Sequence, residues 1–258
     1  MECKNCKAQL YDTHNFCPEC GAKVIRNRLS FQNLWEDFKT RFLDYDNTFL
    51  ITLSHLFSRP EQVIGGYISG VRKRYMDPLS YLGIALTLTG VQIFVTRKIS
   101  DRIDWDVYNQ EVNPELTQKL MDAVFDYSSL IFLLYIPVFA FAARVTMNML
   151  NFYFSEAIII FVYIMAQWSI AFFLPTLVIL LTFPEYYMQL SFPILVFIIM
   201  YSIYCLQRLQ NLSIDTLVWR SLLFIFMVLI GYIGIIIVIY CLLFATGTIT
   251  LHDFVPTK

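Results

Sequence analysis

Four cysteines fall within the first twenty residues as Cys3-x-x-Cys6 and Cys17-x-x-Cys20, a spacing that can bring four thiolates to one ion. Zn²⁺ held by all four is tetrahedral and closed, with no open position for a substrate, so the expected role of the metal is structural. Pro18 and Gly21 supply the turn chemistry of such a knuckle, Gly21 through its access to positive φ. The alternative is a pair of disulfides, which a reducing compartment disfavours. His14 has ligand chemistry too, but four thiolates fill the site and it is expected to stand aside. A ribbon this small would owe much of its folding free energy to the metal.

The second group with chemical potential is Arg72-Lys73-Arg74, bracketed by Tyr67 and Tyr75. Two readings stay open. Basic residues beside an apolar segment mark its retained side, and that function needs nothing but charge. Alternatively, Arg72 and Arg74 clamp a lipid or isoprenoid phosphate, Lys73 adds charge, and Tyr67 and Tyr75 provide hydroxyls and rings at headgroup depth. Elsewhere a catalytic constellation is hard to assemble. The three histidines, His14, His55 and His252, are widely scattered, and no carboxylate sits in the middle of an apolar segment. Arg144 and Glu156 are expected to serve helix ends or a structural ion pair. Gln167 and Trp168 are expected to join helices, Cys205 and Cys241 to fill apolar space, and Gly231 and Gly234 to seat a neighbouring helix.

What must position these residues is set by composition. Of 258 residues, 57% are hydrophobic, 17% aromatic and only 15% charged, and the mean hydropathy is +0.58. Such a chain reads as an all-α integral membrane protein. Apolar stretches on the scale of a bilayer-crossing helix recur five times, near Leu79 to Thr96, Tyr127 to Ala143, Ala157 to Phe183, Met188 to Gln207 and Leu222 to Phe244. The second is expected to be short. A break at Pro137 or Pro175 would change the count to four or six.

With the N-terminus in the cytoplasm, fourteen Lys and Arg residues lie on that side and five on the other. The C-terminus then falls on the opposite side, and the first span acts as an uncleaved insertion signal. Phe31, Trp35, Phe38, Phe42, Tyr45 and Phe49 make one stripe of an amphipathic helix, which lies in the interface or packs as core. A second helix is expected over Thr48 to Ser58, and a third from Pro60 to Gly70. The domain plan is therefore a zinc ribbon over 1–25, juxtamembrane helices over 26–78, a five-helix membrane domain over 79–246 and a tail over 247–258. Acids offset the basic residues of the ribbon, so no nucleic-acid footprint exists.

The string from Arg59-Pro60 through Tyr67-x-x-Gly70, Arg72-Lys73-Arg74-Tyr75 and Pro78-x-Ser80-Tyr81 resembles the bacterial family known as domain of unknown function 3667. That resemblance implies paired Cys-x-x-Cys knuckles ahead of several apolar spans, and it carries no activity. In layout alone, five spans behind an amphipathic cytoplasmic region are similar to the Yip family of membrane-organising proteins. The expected protein is a non-enzymatic adaptor or membrane organiser of the bacterial inner membrane. Its expected partners are membrane lipids and a cytoplasmic or membrane protein, with a homo-oligomer possible. The alternatives are a flippase-like carrier of a phosphate-bearing or lipid substrate and, last, a lipid-modifying intramembrane enzyme.

Overall fold

A computed structural model describes residues 1–11, 13–22, 24, 48–103, 114–147, 152–210 and 212–250. The chain divides into two compact units, Met1–Asn47 and Thr48–Lys258. Among the described residues there is no strand, only isolated bridge residues: the antiparallel pair Glu2 and Gln9, and Phe16 in the second knuckle. The aromatic stripe expected over 31–49 lies outside the described residues except for Phe49, whose ring packs on Tyr81.

The second unit opens with helix α1, Thr48–Ser58, the bounds expected from the apolar run between Asn47 and Arg59. Pro60 restarts the chain, as its fixed φ favours, but the next turn, Glu61–Gly65, is a π-helix before Gly66–Ile68 resumes α geometry. Gly70, at φ 102°, ends the segment. Its N–H donates to Tyr67 O (3.1 Å) and the N–H of Val71 to Gly66 O (2.8 Å), the two bonds of a Schellman motif. The glycines of Gly66-x-x-x-Gly70 thus terminate a helix.

Five longer helices follow: α2 (Pro78–Lys98), α3 (Pro114–Thr146), α4 (Phe154–Thr182), α5 (Tyr187–Gln210, entered through a 3₁₀ turn at Pro184–Tyr186) and α6 (Ile214–Ala245). All five are long and apolar enough to cross a membrane. Pro137, Pro175 and Pro193 lie inside α3, α4 and α5 without dividing them, so the span count stays at five. Asp77 caps α2 by accepting the N–H of Ser80 (2.9 Å), with Pro78 at the first helical position. Partial burial works against the Asp77 charge, but its bonds to Ser80 and the adjoining amides hold the carboxyl below its usual range.

The second span is not short. Helix α3 has 33 residues, because its first turns bury Leu116 and Ala123 against Leu243 and Ile249 at the far end of α6. Polar residues such as Lys119 and Asp122 hide this amphipathic extension from an apolar-run reading. The same dilution by Asp215 and Arg220 hides the start of α6.

Helix α4 is the most buried of the five, and small residues let its neighbours close on it. Ala85 of α2, Ala140 and Ala143 of α3, and Ala157 and Ala166 of α4 are all fully buried. Phe139, Phe161 and Phe224 pack ring on ring to tie α3, α4 and α6 together. Helix α6 comes so close to α3 at Gly231 that a Cβ there would stand 2.3 Å from Val138 Cγ1, whereas one at Gly234 would meet nothing within 4 Å.

Candidate functional site

In the first unit the two knuckles are copies of one another. The N–H of Cys3 donates to Ala8 O (2.8 Å) and that of Lys7 to Cys3 O (2.9 Å); fourteen residues on, Cys17 donates to Ala22 O (2.9 Å) and Gly21 to Cys17 O (2.9 Å). The sequence carries this repeat as Cys-x-x-Cys-Lys-Ala and Cys-x-x-Cys-Gly-Ala, a signal that the cysteine spacing alone overlooks. Positive φ falls at the same place in each copy, 65° at Lys7 and 69° at Gly21. Met1 and Leu10 exchange both backbone bonds (3.0 and 2.7 Å), closing the first knuckle.

The four Sγ atoms lie within 4.8 Å of one another. Cys3 to Cys20 is 3.7 Å and Cys6 to Cys17 is 3.6 Å. Tetrahedral thiolates about 2.3 Å from a central ion would stand about 3.8 Å apart, whereas a disulfide would bring two sulfurs to about 2.05 Å. The residues therefore fit one four-coordinate metal ion, and no disulfide joins them. Cys3 and Cys17 are buried beside Leu10, while Cys6 and Cys20 face outward. The backbone N–H groups of Cys6 and Asn5 lower the Cys3 thiol from its ordinary range, and the Asn5 side chain brings Cys20 down to about 6. Against the pull of the Ala8 N–H, the neighbouring thiols, Cys20 first, push Cys6 up to about 12, so two of the four ligands are readied as thiolates and an ion must displace the proton of the third. His14 is not among the residues that converge; its ring meets Tyr11 edge-on.

The second candidate site lies where α2 begins, and α1 builds it. Phe49 of α1 meets Tyr81 of α2, Leu53 O accepts from Gln167 Nε2 of α4 (3.0 Å), and Leu56 O and Phe57 O accept from Tyr201 (3.0 Å) and Tyr204 (3.1 Å) of α5. The helix therefore crosses three spans in turn. Its last carbonyls, which lack partners within the helix, are satisfied by side chains from elsewhere. Gln167, fully buried, also accepts a bond from the Tyr81 hydroxyl, which gives it the joining role expected of it. Glu61 in the π turn holds Arg208 of α5 through two bonds, at 3.1 and 2.9 Å.

Between Gly70 and Pro78 the basic loop is fixed at both ends. Met76 N donates to Thr52 Oγ1 (2.9 Å) and Met76 O accepts from the Tyr163 hydroxyl (2.7 Å). Arg72, Lys73 and Arg74 are exposed. The Arg72 guanidinium lies 5.5 Å from the centroid of the Tyr67 ring, and that of Arg74 lies 5.5 Å from the Tyr75 ring. Tyr67 rests edge-on against Tyr163. Tyr75 is buried, and its hydroxyl bonds inward to His55 Nδ1 at 2.9 Å, leaving it a ring platform for Arg74.

Arg144 and Glu156 each serve a helix end. Arg144 donates to Phe152 O (2.6 Å) and Glu156 accepts the N–H of Tyr153 (2.8 Å). No sequence signal pointed to the Glu61–Arg208 pair or to Tyr163, Tyr201 and Tyr204, because each partner is more than eighty residues from the segment it holds.

An all-helical chain with five helices of bilayer-crossing length and apolarity is a multi-pass membrane protein in its architecture. Residues 46–90, a segment that runs from α1 into the middle of α2, match the family model described as protein of unknown function (DUF3667), which supports the resemblance read from the sequence. No curated protein and no solved structure matches the chain, and the layout resemblance to the Yip family finds no support there.

Proposed function

We propose that this is a non-enzymatic adaptor or membrane organiser of the bacterial inner membrane, in which an N-terminal zinc ribbon on the cytoplasmic side recruits a protein partner. The observation that carries this reading is the closed thiolate site. Four sulfurs converge with spacing for one tetrahedral ion, and such a site stabilises a surface without offering the metal to a substrate. Zn²⁺ suits four thiolates and has no redox chemistry of its own. The positive flank at Arg72, Lys73 and Arg74 supports placing the N-terminus in the cytoplasm. Continuous helices through Pro137, Pro175 and Pro193 suit a fixed scaffold.

The test is extraction of the tagged protein into polymer nanodiscs, with metal and co-purifying protein measured by mass spectrometry. One zinc per chain and a stoichiometric partner, both lost in Cys17→Ser and Cys20→Ser, are expected. A partner kept at full occupancy by a metal-free variant would overturn the adaptor reading. Turnover of a phosphate-bearing lipid across the bilayer by the purified protein would replace it with the carrier.

A further inference from the structure

We propose that the loop Arg72–Lys73–Arg74 is a built binding site for the phosphate of an anionic lipid headgroup in the leaflet at which α2 begins. A topology signal needs positive charge only, and a floppy segment serves. This loop is organised well beyond that. The Schellman motif at Gly70 fixes its start, and Met76 fixes its end through both backbone groups. The Arg72 and Arg74 guanidinia lie over the rings of Tyr67 and Tyr75, which are themselves held by Tyr163 and His55. A guanidinium resting on a ring directs its N–H edge outward, and a planar fork matches phosphate oxygens in pairs. Two such forks flank Lys73, and all three residues are exposed.

Depth agrees with this assignment. Helix α2 has 21 residues, about 31 Å of rise, close to the roughly 30 Å hydrocarbon core. Its register on α4 is set by Ser169 Oγ, which bonds Thr89 Oγ1 (2.8 Å) and Ala85 O (3.4 Å). Carried back along that register, Pro78 is level with a point roughly eight residues, about 12 Å, inside the start of α4. The first turns of α4 therefore extend past the hydrocarbon boundary that α2 marks. Met76, which closes the basic loop, bonds Tyr163 nine residues into α4, so the loop ends at this same boundary. Leu50, Ile51 and Phe57, exposed on α1, are apolar groups at the same boundary and suit an interfacial helix.

The whole protein in nanodiscs of equal phosphatidylglycerol and phosphatidylcholine is the sample, and native mass spectrometry counts the lipid that stays bound. Each basic residue at an anionic surface contributes enough that three together favour the anionic lipid by about tenfold or more after screening. The triple variant R72Q/K73Q/R74Q is expected to lose this preference, while R97Q/K98Q at the opposite end of α2 keeps it. Because R72Q/K73Q/R74Q removes a topology signal, R72K/R74K provides the independent readout. It retains the charge and loses the forks, and a fall in preference of several fold is expected in a correctly inserted protein. Equal preference in wild type and R72K/R74K overturns the site and leaves charge alone. Inorganic phosphate shielding Lys73 from acylation as strongly in lipid-free micelles as phosphatidylglycerol does in nanodiscs would overturn the lipid as its ligand.

Discussion

Lys7 and Gly21 occupy equivalent places in the two knuckles, both at φ near +65° to +69°, and only one is the residue that tolerates this without strain. Lys7→Gly is therefore expected to stabilise the metal-loaded ribbon by about 0.5–1 kcal/mol, and Gly21→Ala to destabilise it by about 1 kcal/mol. Resistance of the bound metal to a chelator reads both. A Cβ at Gly21 would meet nothing within 4 Å, so the loss is one of backbone conformation. In the bundle the argument reverses. Gly231→Ala forces a Cβ into Val138 and is expected to cost about 1–3 kcal/mol, measured by unfolding in mixed micelles, while Gly234→Ala is expected to be nearly neutral. At this scale the sequence was readable where chemistry is local. The four cysteines, the Asp77 cap and the helix-ending Gly70 follow from residue type and spacing. That Gly231 seats a helix and Gly234 does not depends on the rotational setting of α6 against α3, which spacing along one chain leaves open.

Helix α1 shows how elements depend on partners far along the chain. Its bounds were legible from its flanking Asn47 and Arg59-Pro60, but its mode of attachment was not. It is gripped largely by main-chain carbonyls, so the identities of Leu53, Leu56 and Phe57 say little about who holds them. Gln167→Leu removes the bridge between Tyr81 and Leu53 O and leaves both without it. A loss of about 1–2 kcal/mol is expected, with faster proteolysis between α1 and α2 as the companion readout. The π turn at Glu61–Gly65 was also illegible, since five residues of ordinary helical composition do not announce an extra residue per turn. Its position opposite Arg208 gives it a structural reason: the widened turn carries Glu61 to where α5 ends.

At the scale of the molecule, five spans were visible because uncharged runs of bilayer length are rare by chance. The true reach of α3 and α6 was not: the start of α3 buries Leu116 and Ala123 against Leu243 and Ile249 while its other positions stay polar, and Asp215 and Arg220 interrupt the apolar run at the start of α6. Alkaline phosphatase fused after Ile103 or Phe183 is expected to be active, and fused after Met147 or Leu212 inactive, in a bacterial host. Any other alternation would refute the proposed orientation.

The grip on α1 also has a consequence in time. Tyr204, which holds the carbonyl of Phe57, follows it by 147 residues. At a synthesis rate of about 5–20 residues per second, α1 leaves the ribosome roughly seven to thirty seconds before that hydroxyl exists. During this interval an apolar helix with unpaired carbonyls at its end must wait somewhere, and the newly inserted α2 tethers it to the membrane surface. The bilayer itself is thus the first holder of α1, and the third and fourth spans take over from it once they are made.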